Sequence, residues 1–473
     1  MRLLAVSKKP DAVVVGCLFF GLCLFYLSFQ RGSTPTYDAG IYMDVARNLS
    51  EHFSLRVRND PYGFNKPYAS YGLGLSLTIV PLTVMQKALQ PGGQEIVLLT
   101  NILFVAATAV LIYLLAKALE QSRLRAVTAC LVFAMTTMAV QQSTDLFSEP
   151  GVAFFVLLTV FGLVKWRADS KVGPLLVGLG IGLAISFRSD SIVMSGVAIL
   201  TVPAFVPWAK LRATRAKWML RLALPIIVAM IYQLAYTQFR YGTLIKLGYP
   251  GQGFTTPFLT GFYGNTFSPG KGFFVYNCFL ILGIPGLFIM WRRDRAFVAA
   301  TAALVLVRPL FFARWWSWSG GVTWGPRFMF PLCPLLAIPA VATVRALVAS
   351  ASRFRVVALV GVFVLFATST FIALLGVLVP FEQWYFVASG LAGVPQSPER
   401  SAARVHDYYW SFSGNHIAGN LRLLDEAKPF PLRWFSGGRL GLGVAALVVG
   451  LLLMAFAAVA AVRADRSTMT AGA

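Results

Sequence analysis

Titratable residues gather where the apolar runs of this sequence end. The acids there are Asp38, Asp44, Glu51, Asp60, Asp145, Glu149 and Asp190; the bases are Lys66, Arg188, Arg240, Lys246, Lys271, Arg308, Arg314 and Arg327. Charges near membrane depth are costly, so they face a polar cavity and pair there. Lysines and arginines converging on one cavity make an anion clamp, and the guanidinium fork suits phosphate geometry. A carboxylate among them can take a proton from a substrate hydroxyl. A few carboxylates beside an excess of cations predict a cavity at the outer leaflet. A lipid phosphate is the natural anion at that depth, entering sideways from the bilayer.

The elements that must position these residues are membrane helices. The 473-residue chain is 57% hydrophobic and 12% charged, with mean hydropathy +0.70; soluble domains carry about 25% charged residues. Apolar runs of about 20 residues, the length of a spanning helix, recur from end to end and leave no room for a soluble catalytic domain. They lie near 12–30, 96–117, 126–143, 150–166, 173–187, 190–208, 221–239, 273–291, 296–312, 328–348, 355–380 and 440–462. An all-α polytopic fold with about twelve transmembrane helices is expected, forming one domain over 1–473.

The net charge of +23 does not imply nucleic acid. Its basic residues punctuate the apolar runs, as in KALEQSRLR, KLRATRAKWMLR and WRRDR. Such clusters mark cytoplasmic loops, whereas a nucleic-acid footprint gathers on one soluble face. All the clusters fall inside only if both termini are cytoplasmic and 72–89 lies along the outer surface without crossing. The outer face then collects 31–95, with its juxtamembrane helices, and 240–272, 313–327 and 381–438, with short turns at 142–149 and 188–190. The run 12–30 is too long for an ordinary signal core, and no clear small-residue cleavage site follows it. It reads as an uncleaved anchor in a plasma membrane. The five cysteines are isolated in apolar runs, so neither disulfides nor zinc are suggested.

The stretch TYDAGIYMDVARNL, residues 36–49, follows that anchor. Tyr37, Ile41, Val45 and Leu49 recur every four residues and predict an amphipathic helix lying on the membrane. Thr34 or Asp38 could cap it, with Pro35 in the first turn. Asp38 and Tyr42 are one turn apart and share a neighbouring face. Asp44 is about 240° round from Asp38 and points elsewhere, which suits a solvated surface residue. Asp38 is either a cap or a chemical group, and the two roles are compatible.

Six stretches in this order resemble the GT-C superfamily of polytopic glycosyltransferases. They are YDAGIYMDVARNL, NKPYASYGLG at 65–74, DLFSEP at 145–150, SFRSDS at 186–191, SPGKGFFVYN at 268–277 and WSGGVTWGPRFMFPLCPLL at 318–336. The last two are similar to stretches in bacterial members. The chain is most similar to the branch with the protein O-mannosyltransferases and the lipid A aminoarabinose transferase. The resemblance implies transfer of a sugar from a polyprenyl-phosphate carrier to an envelope acceptor (glycan, lipid or protein) on the extracytoplasmic face. By it, Asp38 matches the catalytic aspartate, Lys66 the basic residue at the carrier phosphate, and Asp145 and Glu149 the acids of the second outer turn. Tyr68 replaces the family's second proline, and Ala39 the acid that often follows the aspartate.

One carboxylate suffices for such a reaction. A polyprenyl phosphate is a good leaving group that needs charge neutralisation rather than a proton, unlike the alkoxide that makes glycosidases use two carboxyls. Asp38 would be the base and the reaction inverting, with Lys66, Lys271 and Arg327 around the phosphate, Arg188 a further ligand, and Tyr42 beside Asp38. Each has a structural alternative. Lys66 can be a solvated loop residue, and Lys271 can snorkel to headgroups. Arg188 and Asp190 can pair across their turn, and Asp145 and Glu149 can cap the helix at Pro150. Trp315, Trp316, Trp318 and Trp324 read as an interfacial aromatic belt. The aromatic segment 381–438 is the expected acceptor-side cover. No cofactor or metal is indicated, although some GT-C branches use a divalent ion. The rival class, a transporter or flippase of a lipid-linked sugar, predicts inverted repeats and helices broken at mid-membrane; no such repeat is visible.

Overall fold

A computed structural model of the chain describes residues 8–30, 36–57, 67–89, 96–213, 216–245, 253–380, 383–385, 387, 406–424 and 440–470. Among them no strand forms beyond one isolated antiparallel bridge, Arg56 with Tyr68. The helices are α1 (Lys8–Leu27), α2 (Tyr37–His52), α3 (Gly74–Leu89), α4 (Leu99–Ala118), α5 (Arg123–Thr136), α6 (Ala139–Gln142), α7 (Glu149–Arg167), α8 (Gly173–Phe187) and α9 (Ser191–Phe205). Then follow α10 (Trp208–Ala213), α11 (Ala216–Tyr241), α12 (Phe258–Thr266), α13 (Phe273–Tyr276), α14 (Gly283–Trp291), α15 (Arg295–Phe312), α16 (Cys333–Val348), α17 (Arg355–Leu378), α18 (His416–Leu423) and α19 (Leu440–Thr470). Among the described residues eight helices are long and apolar enough to cross a membrane, and 74–89, 173–187, 191–205 and 278–291 form shorter apolar helices. The chain is a multi-pass membrane protein. Of the twelve runs expected to cross, eight coincide with helices of spanning length; 173–187, 190–208 and 273–291 coincide with shorter apolar helices, and 126–143 is divided between α5 and α6.

Helices α4, α5, α7 and α16 pack on one another at the centre, and α1, α11, α17 and α19 lie outside them. Lipid offers no hydrophobic drive for helix association, so close packing of small residues does that work. The GPLLVGLGIGLAISF sequence of α8 shows how. A Cβ on Gly178 would stand 2.4 Å from the Leu222 carbonyl oxygen of α11, and one on Gly180 would stand 2.6 Å from the Phe155 carbonyl oxygen of α7. Glycines on both faces let α8 fill the gap between two helices.

Side-chain bonds fix which ends of the helices meet. Arg123 at the start of α5 binds Asp11 of α1 at 2.9 Å and Asp465 of α19 at 3.7 Å. Arg167 at the end of α7 holds both oxygens of Asp294, at 2.6 Å each, and Asp294 caps α15 through the Phe297 amide. The start of α1 and the end of α19 therefore share one end of the bundle. At the other end, Asn101 of α4 donates to the carbonyls of Asp145 at 2.6 Å and Phe147 at 3.0 Å, fixing the turn before α7. Both ends of α3 lie there too. Gly74 sits against Ser186 and Phe187 at the end of α8. Leu98, shortly after α3, accepts from Gln30 at the end of α1.

Candidate active site

Helix α2 carries Asp38 in its first turn, where an acid is favoured by the helix dipole. Its N-cap is Thr36, which makes no side-chain cap bond; of the two caps expected from the sequence, Asp38 is inside the helix and Thr34 lies outside the described residues. The stripe of Tyr37, Ile41 and Val45 packs on Ala69, Leu73 and Tyr236. This turns Asp38 towards the bundle and leaves Asp44 half-buried on another side.

The Asp38 carboxylate meets two groups. The Tyr71 hydroxyl donates to Oδ1 at 2.7 Å, and the Arg327 guanidinium ion-pairs with Oδ2. Arg327 also approaches Glu149, 3.7 Å from Nε to Oε1. Arg188 binds the same Glu149 oxygen at 2.8 Å and Asp190 at 2.8 Å, and Arg308 lies 3.3 Å from Asp190. Asp38, Arg327, Glu149, Arg188, Asp190 and Arg308 thus alternate in sign along one chain of contacts, with side-chain exposures from 1% to 16%. Aromatic faces insulate it: Phe328 lies under both Arg188 and Arg327, with Phe147 under Arg327 and Phe312 under Arg308. Removing one partner of such a pair leaves an uncompensated charge, at a cost of about 3–5 kcal/mol. Burial alone would raise the Asp190 carboxyl, but the guanidinium groups of Arg188 and Arg308 outweigh it and hold the group below the usual carboxylate value.

Tyr42 is buried, its ring 5.1 Å from that of Tyr71 and its hydroxyl donating to Ser148 at 3.2 Å. Burial pushes its phenol pKa upwards. Asp145 accepts from Thr36 at 3.4 Å and from its neighbouring Leu146 amide at 2.7 Å, which ties the turn before α7 to the start of α2. Ser148, not Asp145 or Glu149, precedes α7, and it makes no side-chain cap bond; Glu149 faces the arginines instead. The alternative of an Arg188–Asp190 pair is realised. Lys66 lies outside the described residues.

Lys271 is neither in a loose loop nor at the headgroups. It is fully buried, and its ammonium donates to the carbonyls of Gly321 at 3.0 Å, Thr323 at 2.6 Å and Gly325 at 3.2 Å. Burial and the charge of Arg327 push its pKa down. Three carbonyls consume three N–H groups, so Lys271 fixes the loop that ends at Arg327. The segment 406–424 covers that loop from outside. Gly270 donates to the Tyr409 carbonyl at 3.1 Å, and Asn415 to the Pro269 carbonyl at 2.9 Å. Trp324 is also fully buried, stacked on His416 and edge-on to Tyr276. Trp318 packs on Tyr409 and Trp410. Of the four expected belt tryptophans, Trp316 is the exposed one.

Among the described residues the cluster holds three arginines facing three carboxylates, without the excess of cations expected from the sequence; Lys66 and Lys246 lie outside those residues. Among the described residues no group of three or more His, Cys, Asp or Glu could hold a metal ion. Sequence reasoning missed Tyr71, treated Arg308 only as a member of the outer set, and gave Asp190 no partner beyond Arg188. Tyr71 sits in a strap held on two sides. A Cβ on Gly72 would stand 2.6 Å from the Ser186 carbonyl oxygen, so the strap must cross α8 closely. Arg240 of α11 donates to the Ala69 carbonyl at 2.8 Å, and Tyr232 accepts from the Leu73 amide at 2.9 Å. The glycines around Leu73 in YASYGLG were the available signal.

No family model and no curated protein sequence matches the chain. Solved structures do match its fold. ArnT from Cupriavidus metallidurans in the apo state aligns with TM-score 0.53 and 14% identity, over 97% of this chain and 78% of ArnT. The same protein bound to undecaprenyl phosphate aligns with TM-score 0.51 and 15% identity over the same shares. The chain therefore has the polytopic GT-C fold that its sequence motifs resemble.

Proposed function

We propose that this protein is an inverting glycosyltransferase that moves a sugar from a polyprenyl-phosphate carrier to an envelope acceptor on the extracytoplasmic face. The observation that carries this reading is the Asp38 carboxylate held between Arg327 and Tyr71 at the end of an alternating charge cluster. The fold likeness to ArnT, solved with undecaprenyl phosphate, supports a lipid-phosphate donor.

The charge balance suggests how the site works. Every cluster arginine already faces a carboxylate, so an arriving phosphate must compete for one. Arg327 touches both Asp38 and Glu149 and is the natural candidate. A donor phosphate that takes over the Asp38 side of Arg327 leaves Asp38 free to accept the proton of the acceptor hydroxyl. The acceptor oxygen then attacks the anomeric carbon, the carbon–oxygen bond to phosphate breaks, and Arg327 stays with the departing anion. Glu149 and Arg188 keep Arg327 oriented, and Tyr71 and Tyr42 fix the Asp38 side. Lys271 acts as a positioning residue through the 321–325 loop, and Lys66 adds charge at the carrier phosphate by its motif. The site end of the bundle faces outward, since the basic clusters mark the opposite end as cytoplasmic.

The test is direct. Purified protein in detergent is incubated with a labelled polyprenyl-phosphate sugar and an envelope extract as acceptor. Release or transfer of label that disappears in Asp38→Asn supports the reading. Full activity in Asp38→Asn, or no turnover of any polyprenyl-phosphate sugar, overturns it.

A further inference from the structure

A second constellation lies at the end of the bundle opposite Asp38. Asn101 and Arg327 mark the Asp38 ends of α4 and of the 327–348 helical run; the other ends of these helices border a cavity of about 270 Å³. Four chain segments meet there: the last turn of α4, the first turn of α5, the end of α14 and the last turns of α16. The inner wall is apolar, built from Ile289, Met290, Ile338 and Val341 among others. Arg125, Arg293 and Arg345 line the same cavity.

These arginines lack strong partners. Among the described residues Arg125 and Arg345 form no ion pair. Arg293 has only the 3.9 Å approach to Glu120, whose side chain is 77% exposed, and weak contacts to the carbonyls of Leu119 and Glu120. Asp465, the other nearby carboxylate, is held by Arg123 and by the amides at the start of α5. Arg125 is repelled by both Arg345 and Arg293, against a weaker attraction from Asp465. Three guanidinium groups kept together around an apolar cavity form a site that an anion would relieve.

The anion must also satisfy the wall. Inorganic phosphate would gain from the arginines and leave the apolar surface unused. An acyl chain with a phosphate head uses both, and basic pockets between membrane helices suit such headgroups. Phe288, 76% exposed, and Trp291, 44% exposed, lie on the face of α14 away from the lining residues Ile289, Met290 and Arg293, so the helix that walls the cavity turns an apolar outer face towards lipid. We propose that this cavity is a binding site for an anionic phospholipid, its phosphate between Arg125, Arg293 and Arg345 and its chain along Ile289, Ile338 and Val341. The site is separate from the donor site by the length of α4, about 30 Å.

The experiment uses the full chain in detergent with added dioleoyl phosphatidylglycerol, dioleoyl phosphatidylcholine or inorganic phosphate. Bound lipid is read by native mass spectrometry and unfolding by a thermal shift. Phosphatidylglycerol should be retained over phosphatidylcholine and raise the unfolding temperature, while inorganic phosphate leaves it unchanged. The double variant Arg125→Gln, Arg345→Gln should lose on the order of tenfold in phosphatidylglycerol affinity. Its unfolding temperature in phosphatidylcholine should match the wild type. Equal retention of both lipids by the wild type overturns the proposal, whatever the variant does. So does a shift reproduced by inorganic phosphate, which would make this a free-anion site. A preference that survives in the double variant overturns it as well, by placing the lipid at the Asp38 end.

Discussion

The Arg327 guanidinium and the Asp38 carboxylate form an ion pair between residues 289 positions apart in the chain. Neither side chain has a solvent-filled surrounding, and Glu149 stands on the far side of Arg327. Substitution at one member should therefore disturb the other more than its own loss of charge would.

Arg327→Gln should reduce transfer and weaken donor binding, and it should lower stability by about 3–5 kcal/mol because Asp38 and Glu149 lose a shared partner. Asp38→Asn should abolish transfer at a smaller stability cost. The double variant should be more stable than the sum of the two predicts. Thermal unfolding of the four proteins gives the coupling energy directly; additivity would mean the pair is not a working unit.

Tyr71→Phe removes one hydrogen bond to Asp38 and little volume. The rate of transfer should fall about tenfold, the effect of one charge-assisted hydrogen bond, with a fall in unfolding temperature no larger than that one bond accounts for. A larger loss shared by Tyr232→Phe would identify the strap, rather than the hydroxyl, as the sensitive element.

Lys271→Met takes the ammonium donor from the carbonyls of Gly321, Thr323 and Gly325, and the buried Thr323 carbonyl left without it costs about 1–3 kcal/mol. The protein should unfold at a lower temperature, and kcat should drop while the residual enzyme keeps its dependence on donor concentration. Arg327→Gln should instead raise the donor KM. A matching rise in donor KM for Lys271→Met would put its ammonium on the phosphate.

Asp190 predicts an acid dependence. Its carboxyl is held below the unfolded value of about 3.9. A depressed carboxylate contributes stability that is present above that unfolded value and is lost as pH falls through the folded one. Thermal unfolding in detergent should show this loss at acid pH in the wild type. In Asp190→Asn the overall stability should be lower and this part of the acid slope absent.

Parts of the site could be read from sequence and parts could not, for a physical reason. The stripe of Tyr37, Ile41 and Val45 specified which way α2 faces, so the separation of Asp38 from Asp44 followed from spacing. The glycines of α8 and the apolar runs gave the helices. Partner choice was invisible, because Asp38 meets Arg327, and Lys271 meets Gly321, Thr323 and Gly325, only after the whole bundle assembles. A lysine in SPGKG and a tryptophan in GVTWGPR carry the local composition of exposed loops. Their burial comes from 406–424 closing over them, which no local pattern records.

The 289-residue separation of Asp38 and Arg327 also sets an order of events during synthesis. At about 5–20 residues per second, Asp38 emerges some 15–60 s before its arginine exists. Over that interval Tyr71 is the partner available to it, while Glu149 and Arg188 can pair as soon as α8 is made. The nascent chain thus assembles its charge cluster from the middle outwards, and a ribosome stalled before residue 327 leaves a membrane-inserted bundle whose aspartate is still waiting for its countercharge.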